Sequence, residues 1–164
     1  MRVELLFLLF AVLLAQPLVA AAGVQEQVNL EQVAHRAALI AAGQVVDQYC
    51  AWDEQGREIY TFTTLEIEQA VKNTTGRAQI QMRHLGGRVG DIESQVHGMP
   101  RFEIGQRVVV FLGPYPDSEY YGLIDWAQGI FRVAADEQNS MVSGTGIKPQ
   151  PLNAFMKMVA EYLK

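Results

Sequence analysis

Residues 58–71 read Glu-Ile-Tyr-Thr-Phe-Thr-Thr-Leu-Glu-Ile-Glu-Gln-Ala-Val. Ile59, Thr61, Thr63, Leu65, Ile67 and Val71 fall on one side of this stretch, and Tyr60, Phe62, Thr64, Glu66 and Glu68 on the other. A period of two in strong β-formers predicts one long strand. Large residues occupy both faces in its first half but only one in its second. Such a strand is covered on both sides at one end, as happens where it bends between the two halves of a barrel.

The neighbouring stretches extend the β pattern. Leu39–Val46, with Gly43 at its centre, predicts a first strand, and Asp53-Glu-Gln-Gly56 a turn. Ala78, Ile80 and Met82 alternate with Gln79, Gln81 and Arg83 as a third strand. The glycines of Gly86-Gly-Arg-Val-Gly90 open a long connection to Phe102. The apolar run Val108-Val-Val-Phe-Leu112 predicts a fully buried fourth strand within Gln106–Leu112. Gly113–Ser118 is a turn-rich loop, Tyr120–Trp126 and Gly129–Ala134 continue the strands, and Asp136–Asn139 turns the chain back through Ser140–Val142.

Helices are expected only at the ends. Asn29 can cap a short helix with Gln32 reaching back, and Leu30, Val33, Ala34, Ala37 and Ala38 recur at helical spacing. At the C-terminus Pro151 takes an N1 place before the stripe Leu152, Phe155, Met156, Val159 and Leu163. No βαβ alternation is present, which excludes a doubly wound parallel sheet. The expectation is a mainly β domain: a small OB-like β-barrel of five to seven strands with a short N-terminal helix and an amphipathic C-terminal helix, a sandwich being the other architecture. Glycines at the expected corners (Gly43, Gly86, Gly87, Gly122, Gly129) favour the barrel.

Ahead of this domain, Arg2 precedes the apolar run 5–15, followed by Gln16-Pro17 and Ala20-Ala-Ala22. Head, apolar core and small-residue site predict a signal peptide over 1–22, leaving 23–164 as one secreted or periplasmic domain. The run is shorter than the roughly 20 residues that span a bilayer, so no stable membrane span is expected after cleavage. The net charge of −5 argues against nucleic-acid binding.

A resemblance is carried by Ala38-Leu-Ile-Ala-Ala-Gly-Gln-Val45, Ile59-Tyr-Thr-Phe-Thr63, Val71-Lys72, Gly86-Gly87, Gly98-Met-Pro-Arg-Phe-Glu-Ile-Gly105 and Val110-Phe-Leu112. Over about residues 29–133 the chain resembles a group of uncharacterised secreted bacterial proteins. In outline it is also similar to the netrin-like modules of tissue inhibitors of metalloproteinases. That likeness implies an OB barrel and makes an exported protease a candidate partner. The inhibitors chelate zinc through an N-terminal cysteine, whereas the expected mature start here is Gly23-Val-Gln and Cys50 is the only cysteine. Their mechanism does not carry over.

No HExxH, CxxC or paired-histidine spacing occurs, and His35, His84 and His97 are scattered, so neither a metal nor another cofactor is expected. The glycines of 86–90 precede no helix and form no phosphate cradle. Asp53-Glu54 and Asp136-Glu137 read as solvated turn residues, and Asn73-Thr-Thr75 matches a glycosylation sequon. What stands out is aromatic: Trp52, Tyr115, Tyr120 and Tyr121 lie at predicted strand ends and in a proline-stiffened loop. Rigid rings in such places are binding residues or core. The resulting expectation is an exported, non-enzymatic binding module for another protein or peptide, with those four residues as its binding site. The alternative is an exported hydrolase using Cys50 with His84 or His97.

Overall fold

A computed structural model describes residues 29–73, 76–115, 118–134 and 139–164. The expected signal peptide, the threonines of the sequon and the pair Asp136-Glu137 lie outside the described residues. The fold is mainly β with two helices. Helix α1 (Leu30–Arg36) leads into β1 (Leu39–Trp52), β2 (Ile59–Lys72) and β3 (Gln79–Leu85). The short strands β4 (Gly87–Val89) and β5 (Ile92–Ser94) follow, then β6 (Arg107–Pro114) and β7 (Tyr121–Leu123). A 3-10 turn at Trp126–Gly129 precedes β8 (Ile130–Ala134), β9 (Met141–Gly144) and β10 (Ile147–Pro151), and α2 (Leu152–Tyr162) closes the chain.

Strand β1 organises the sheet. It pairs with β2 along its length and, through Leu39–Gln44, with β6 on its other edge. The pairings β2–β3, β3–β7 and β7–β6 complete a closed circuit, with β3 and β7 parallel at Met82 and Tyr121. The second edge of β6 is shared, Leu112–Pro114 taking β7 and Arg107–Val110 taking β8, from which β9 and β10 continue the sheet. Register shifts at Ile40/Ala41, Ala42/Gly43 and Val45/Asp47 bend β1 in and just beyond the stretch where it holds both partners. Gly43 is required at this bend, because a Cβ there would run into the Glu66 carbonyl.

Two apolar cores lie on opposite faces of β1 and β6. Leu39, Ala41, Val45, Leu65, Ile80, Met82, Val108, Val110 and Leu112 pack together on the inner side of the circuit. Ile40, Ala42, Val109 and Phe111 face the other way, against Phe131, Val133 and the helices. The run 108–112 is therefore unbroken because both faces of β6 are covered. Strand β2 follows its expected phase. Residues 59–63 are buried on both faces, then Leu65 is buried while Glu66 and Glu68 are exposed, and Ile67 is half-buried against the inner core.

Both helices are docked by the residues that the spacing marks. Leu30, Val33 and Ala34 of α1 and Leu152, Phe155, Met156 and Val159 of α2 are buried, and Leu163 packs beside them. The Asn29 side chain accepts from the Gln32 N–H at 3.1 Å, which is one half of the expected capping box. At the other end of α1, the Lys72 ammonium donates to the carbonyls of Ala34 (3.2 Å) and His35 (3.0 Å), where the helix dipole favours a cation. Among the described residues no helix is long and apolar enough to cross a membrane.

Four boundaries differ from expectation. β1 runs on to Trp52 rather than ending at Val46, and the connection 86–102 contains the β4–β5 hairpin. Only Tyr121–Leu123 of the segment 120–126 is strand, and Pro151 is the N-cap of α2 rather than its first residue. With the β4–β5 hairpin and β10, which the sequence reading did not contain, the described residues carry ten strands rather than five to seven.

Candidate functional site

The far halves of β1 and β2, with β3, extend as a three-stranded platform whose two faces differ. Pairing aligns Tyr49 with Phe62 and Phe62 with Arg83, so these three form a row on the outer face. Tyr49 and Phe62 stack with centroids 4.8 Å apart and planes within 8° of parallel, and Tyr120 meets Phe62 edge-on at 5.1 Å. The Arg83 guanidinium lies 3.8 Å from the Tyr60 ring centre, 4.9 Å from Tyr115 and 5.7 Å from Phe62. The cation is attracted to the ring faces at such distances. Burial, then neighbouring Tyr115 and Glu58, push the Tyr60 phenol well above its ordinary range. Its hydroxyl donates to Glu58 at 2.8 Å.

The 53–58 turn bounds this face. Asp53 accepts from the main-chain N–H groups of Arg57 (2.6 Å) and Glu58 (3.2 Å), and Arg57's N–H first of all holds its carboxyl below the usual value. A groove of about 550 Å3 opens here between the turn, Tyr60 and Arg83.

The inner face carries a different row. Cys50 pairs with Thr61 and Thr61 with His84, so the three lie side by side across three strands. Adjacent strands are about 4.8 Å apart, which puts Cys50 and His84 roughly 10 Å apart at their backbones with Thr61 between them. Thr61 donates to the Gly86 carbonyl at 2.6 Å, which leaves the Cys50 thiol as donor in its 3.4 Å contact with the Thr61 oxygen. Gly87, at φ 134°, brings main chain against both; a Cβ there would sit 2.6 Å from Cys50 Sγ and Thr61 Oγ1.

His84 is 8% exposed and lies under Phe102, with ring centres 5.8 Å apart. Its Nδ1 faces the Leu85 carbonyl at 3.3 Å, and among the described residues Nε2 has no partner. A cleft of about 650 Å3 between this row and the 95–102 segment is lined by Cys50, Thr61, His84 and His97. No group of three His, Cys, Asp or Glu side chains could hold a metal ion among the described residues.

Burial lowers the His84 pKa from its ordinary 6.5, opposed by the Leu85 carbonyl. The unfolded chain then takes up a proton more readily than the fold. Stability is expected to fall as pH drops below about 6.5, levelling off once pH passes the folded value. His84→Gln should flatten that part of the profile. Urea midpoints at pH 7.5 and 5.5 check this, and an equal decline in both proteins would show that the slope comes from another group.

The four aromatic candidates are not one patch. Tyr115 and Tyr120 join the outer cluster, and Tyr121 begins β7 and packs on the inner core. Trp52 is 39% exposed and stands two residues beyond Cys50, which alternation places on the face opposite Tyr49. Tyr49, Tyr60, Phe62 and Arg83 complete the cluster and were not among the candidates. Tyr60 and Phe62 did stand out as large residues on the second face of β2, but the element covering them comes from a distant loop. Comparison with protein-family models, curated proteins and solved structures finds no match.

Proposed function

We propose that this chain is an exported, non-enzymatic binding module of OB-like architecture, acting on another exported protein or peptide. Its ligand surface is the outer face of β2 and β3 between the 53–58 turn and the 115–120 loop. One observation carries the reading: rings from β2 and that loop converge on Arg83, while Tyr49 of β1, stacked on Phe62, stays 43% exposed. OB barrels are five-stranded closures that bind on the strand 2–3 face and in the adjoining loops, and the circuit β1-β2-β3-β7-β6 supports that assignment. Export rests on the head, apolar run and small-residue site of residues 1–22, with cleavage after Ala22. An exported protease as partner rests only on likeness of fold to the inhibitor modules.

Tyr115→Ala/Tyr120→Ala should lose the partner that the wild type recovers from the native exported fraction. Equal recovery by both would sink the proposed face. A hydrolase reading has one observation in its favour, that Cys50, His84 and His97 line one cleft. Against it, the thiol contacts Thr61 rather than a histidine. Rapid labelling of Cys50 in the folded protein, with activity lost in Cys50→Ala, would establish the enzyme instead.

A further inference from the structure

Arg83 is an unusual charge. It is half-buried, it joins no ion pair among the described residues, and its Nε is enclosed without a hydrogen-bond partner. A guanidinium carries five N–H donors in its plane and none on its faces. Tyr60 and Tyr115 lie close to it as ring partners, and ring contacts of this kind leave the in-plane donors unanswered. Of the acidic side chains that share its groove, Asp53 feels the Arg83 charge but caps the turn through two main-chain N–H groups, and Glu58 accepts from the Tyr60 hydroxyl. A guanidinium whose Nε is closed off from water without an acceptor gains from a bound group that its remaining donors can reach.

Resting on the reading of this face as the ligand surface, we propose that Arg83 recognises a carboxylate carried next to an aromatic ring. The planar fork of the guanidinium matches a carboxylate in a two-point contact, the strongest arrangement open to it. The half-buried Tyr115 ring, 4.9 Å from the guanidinium centre, offers the adjoining surface for the ligand's ring. The groove holds Asp53, Glu54 and Glu58 against Arg57 and Arg83, so each negative charge a ligand brings meets opposition and a singly charged group fits better than a phosphate. Free aryl acids and peptides ending in an aromatic residue both present this chemistry.

The test is a titration of the 15N-labelled protein, following the Arg83 Nε–H resonance at fixed ionic strength. The probes are 3-phenylpropionate and its amide, then acetyl-Ala-Ala-Phe as free acid and as C-terminal amide. Both acids should give a saturable shift of Arg83 and of the Tyr115 ring, and each amide should bind about tenfold or more weakly, as loss of a charged hydrogen bond predicts. Arg83→Gln should weaken the acids by a similar factor, and Arg83→Lys should not restore them fully. Preference for the peptide acid over phenylpropionate identifies a chain terminus as the source, and the reverse preference a free acid.

Equal binding of acid and amide to the wild type overturns the carboxylate inference and needs no variant to fold. So does tighter binding of inorganic phosphate, or the absence of any saturable shift. The reading of the face as a partner surface falls separately, through unchanged recovery with Tyr115→Ala/Tyr120→Ala.

Discussion

Phe155→Ala is expected to destabilise the protein by about 3–5 kcal/mol, the range for removing a large buried aromatic side chain. Phe155 is fully buried at the middle of α2, with its ring centre 5.1 Å from Phe131 and 6.4 Å from Phe111. Those two rings meet edge-on at 5.6 Å, so the three form one interlocked set between helix and sheet. Deleting one ring leaves a cavity bounded by β6, β8 and α2, and relaxation around it is limited because each neighbour also packs on another element. A domain of this size has about 5–15 kcal/mol in total, so the variant should lose a large fraction of its stability. Lys157→Ala, on the exposed side of the same helix, should stay within about 0.5 kcal/mol. Urea unfolding of the pair measures the difference, and near-equal midpoints would mean that α2 is not docked through this face.

The stripe that buries Phe155 was legible because a helix lying on a sheet must repeat its apolar residues every three or four positions. β2 and β6 were legible for related reasons, one by alternation and the other by an unbroken apolar run. The second half of β1 was not. Asp47-Gln-Tyr-Cys-Ala-Trp52 mixes polar and apolar residues on both faces, because what holds it straight is the ladder to β2 rather than burial of its own side chains. A register shift at Val45/Asp47 also breaks the phase that a reader would extend. Strands β4 and β5 are three residues each, too short for any period to show, and depend on Gly87 meeting Cys50 and Thr61 from distant positions.

The candidate site divides along the same line. Tyr115 and Tyr120 could be found because rings in a proline-stiffened loop are conspicuous in sequence. Trp52 looked equivalent, and only the parity of β1 beyond its bulge separates it from them. Arg83 alternates outward from a strand, the ordinary position of a solvated charge, and its value as a site residue comes from three rings brought to it by β2 and a loop. Nothing local to residues 79–85 could reveal that.

Leu65→Ala should cost about 2–5 kcal/mol, while Glu66→Ala, one residue along, should change stability by no more than about 0.5 kcal/mol. Leu65 is completely buried in the inner core, paired with Val45 on one side and Ile80 on the other. These three cross-strand neighbours form a continuous layer with Met82 and Val108, and the truncated side chain leaves space that rigid strands on both flanks cannot close. Glu66 points the other way and is exposed. The pair is diagnostic because a slip of one residue in β2 would exchange the two faces completely. Such a slip would also move Phe62 away from Arg83 and Thr61 away from Cys50, dissolving both rows of the platform. Chemical denaturation of the two variants reads the phase directly: a loss below about 1 kcal/mol for Leu65→Ala, or a larger loss for Glu66→Ala, would show that β2 is out of register and that the aromatic face does not exist as described.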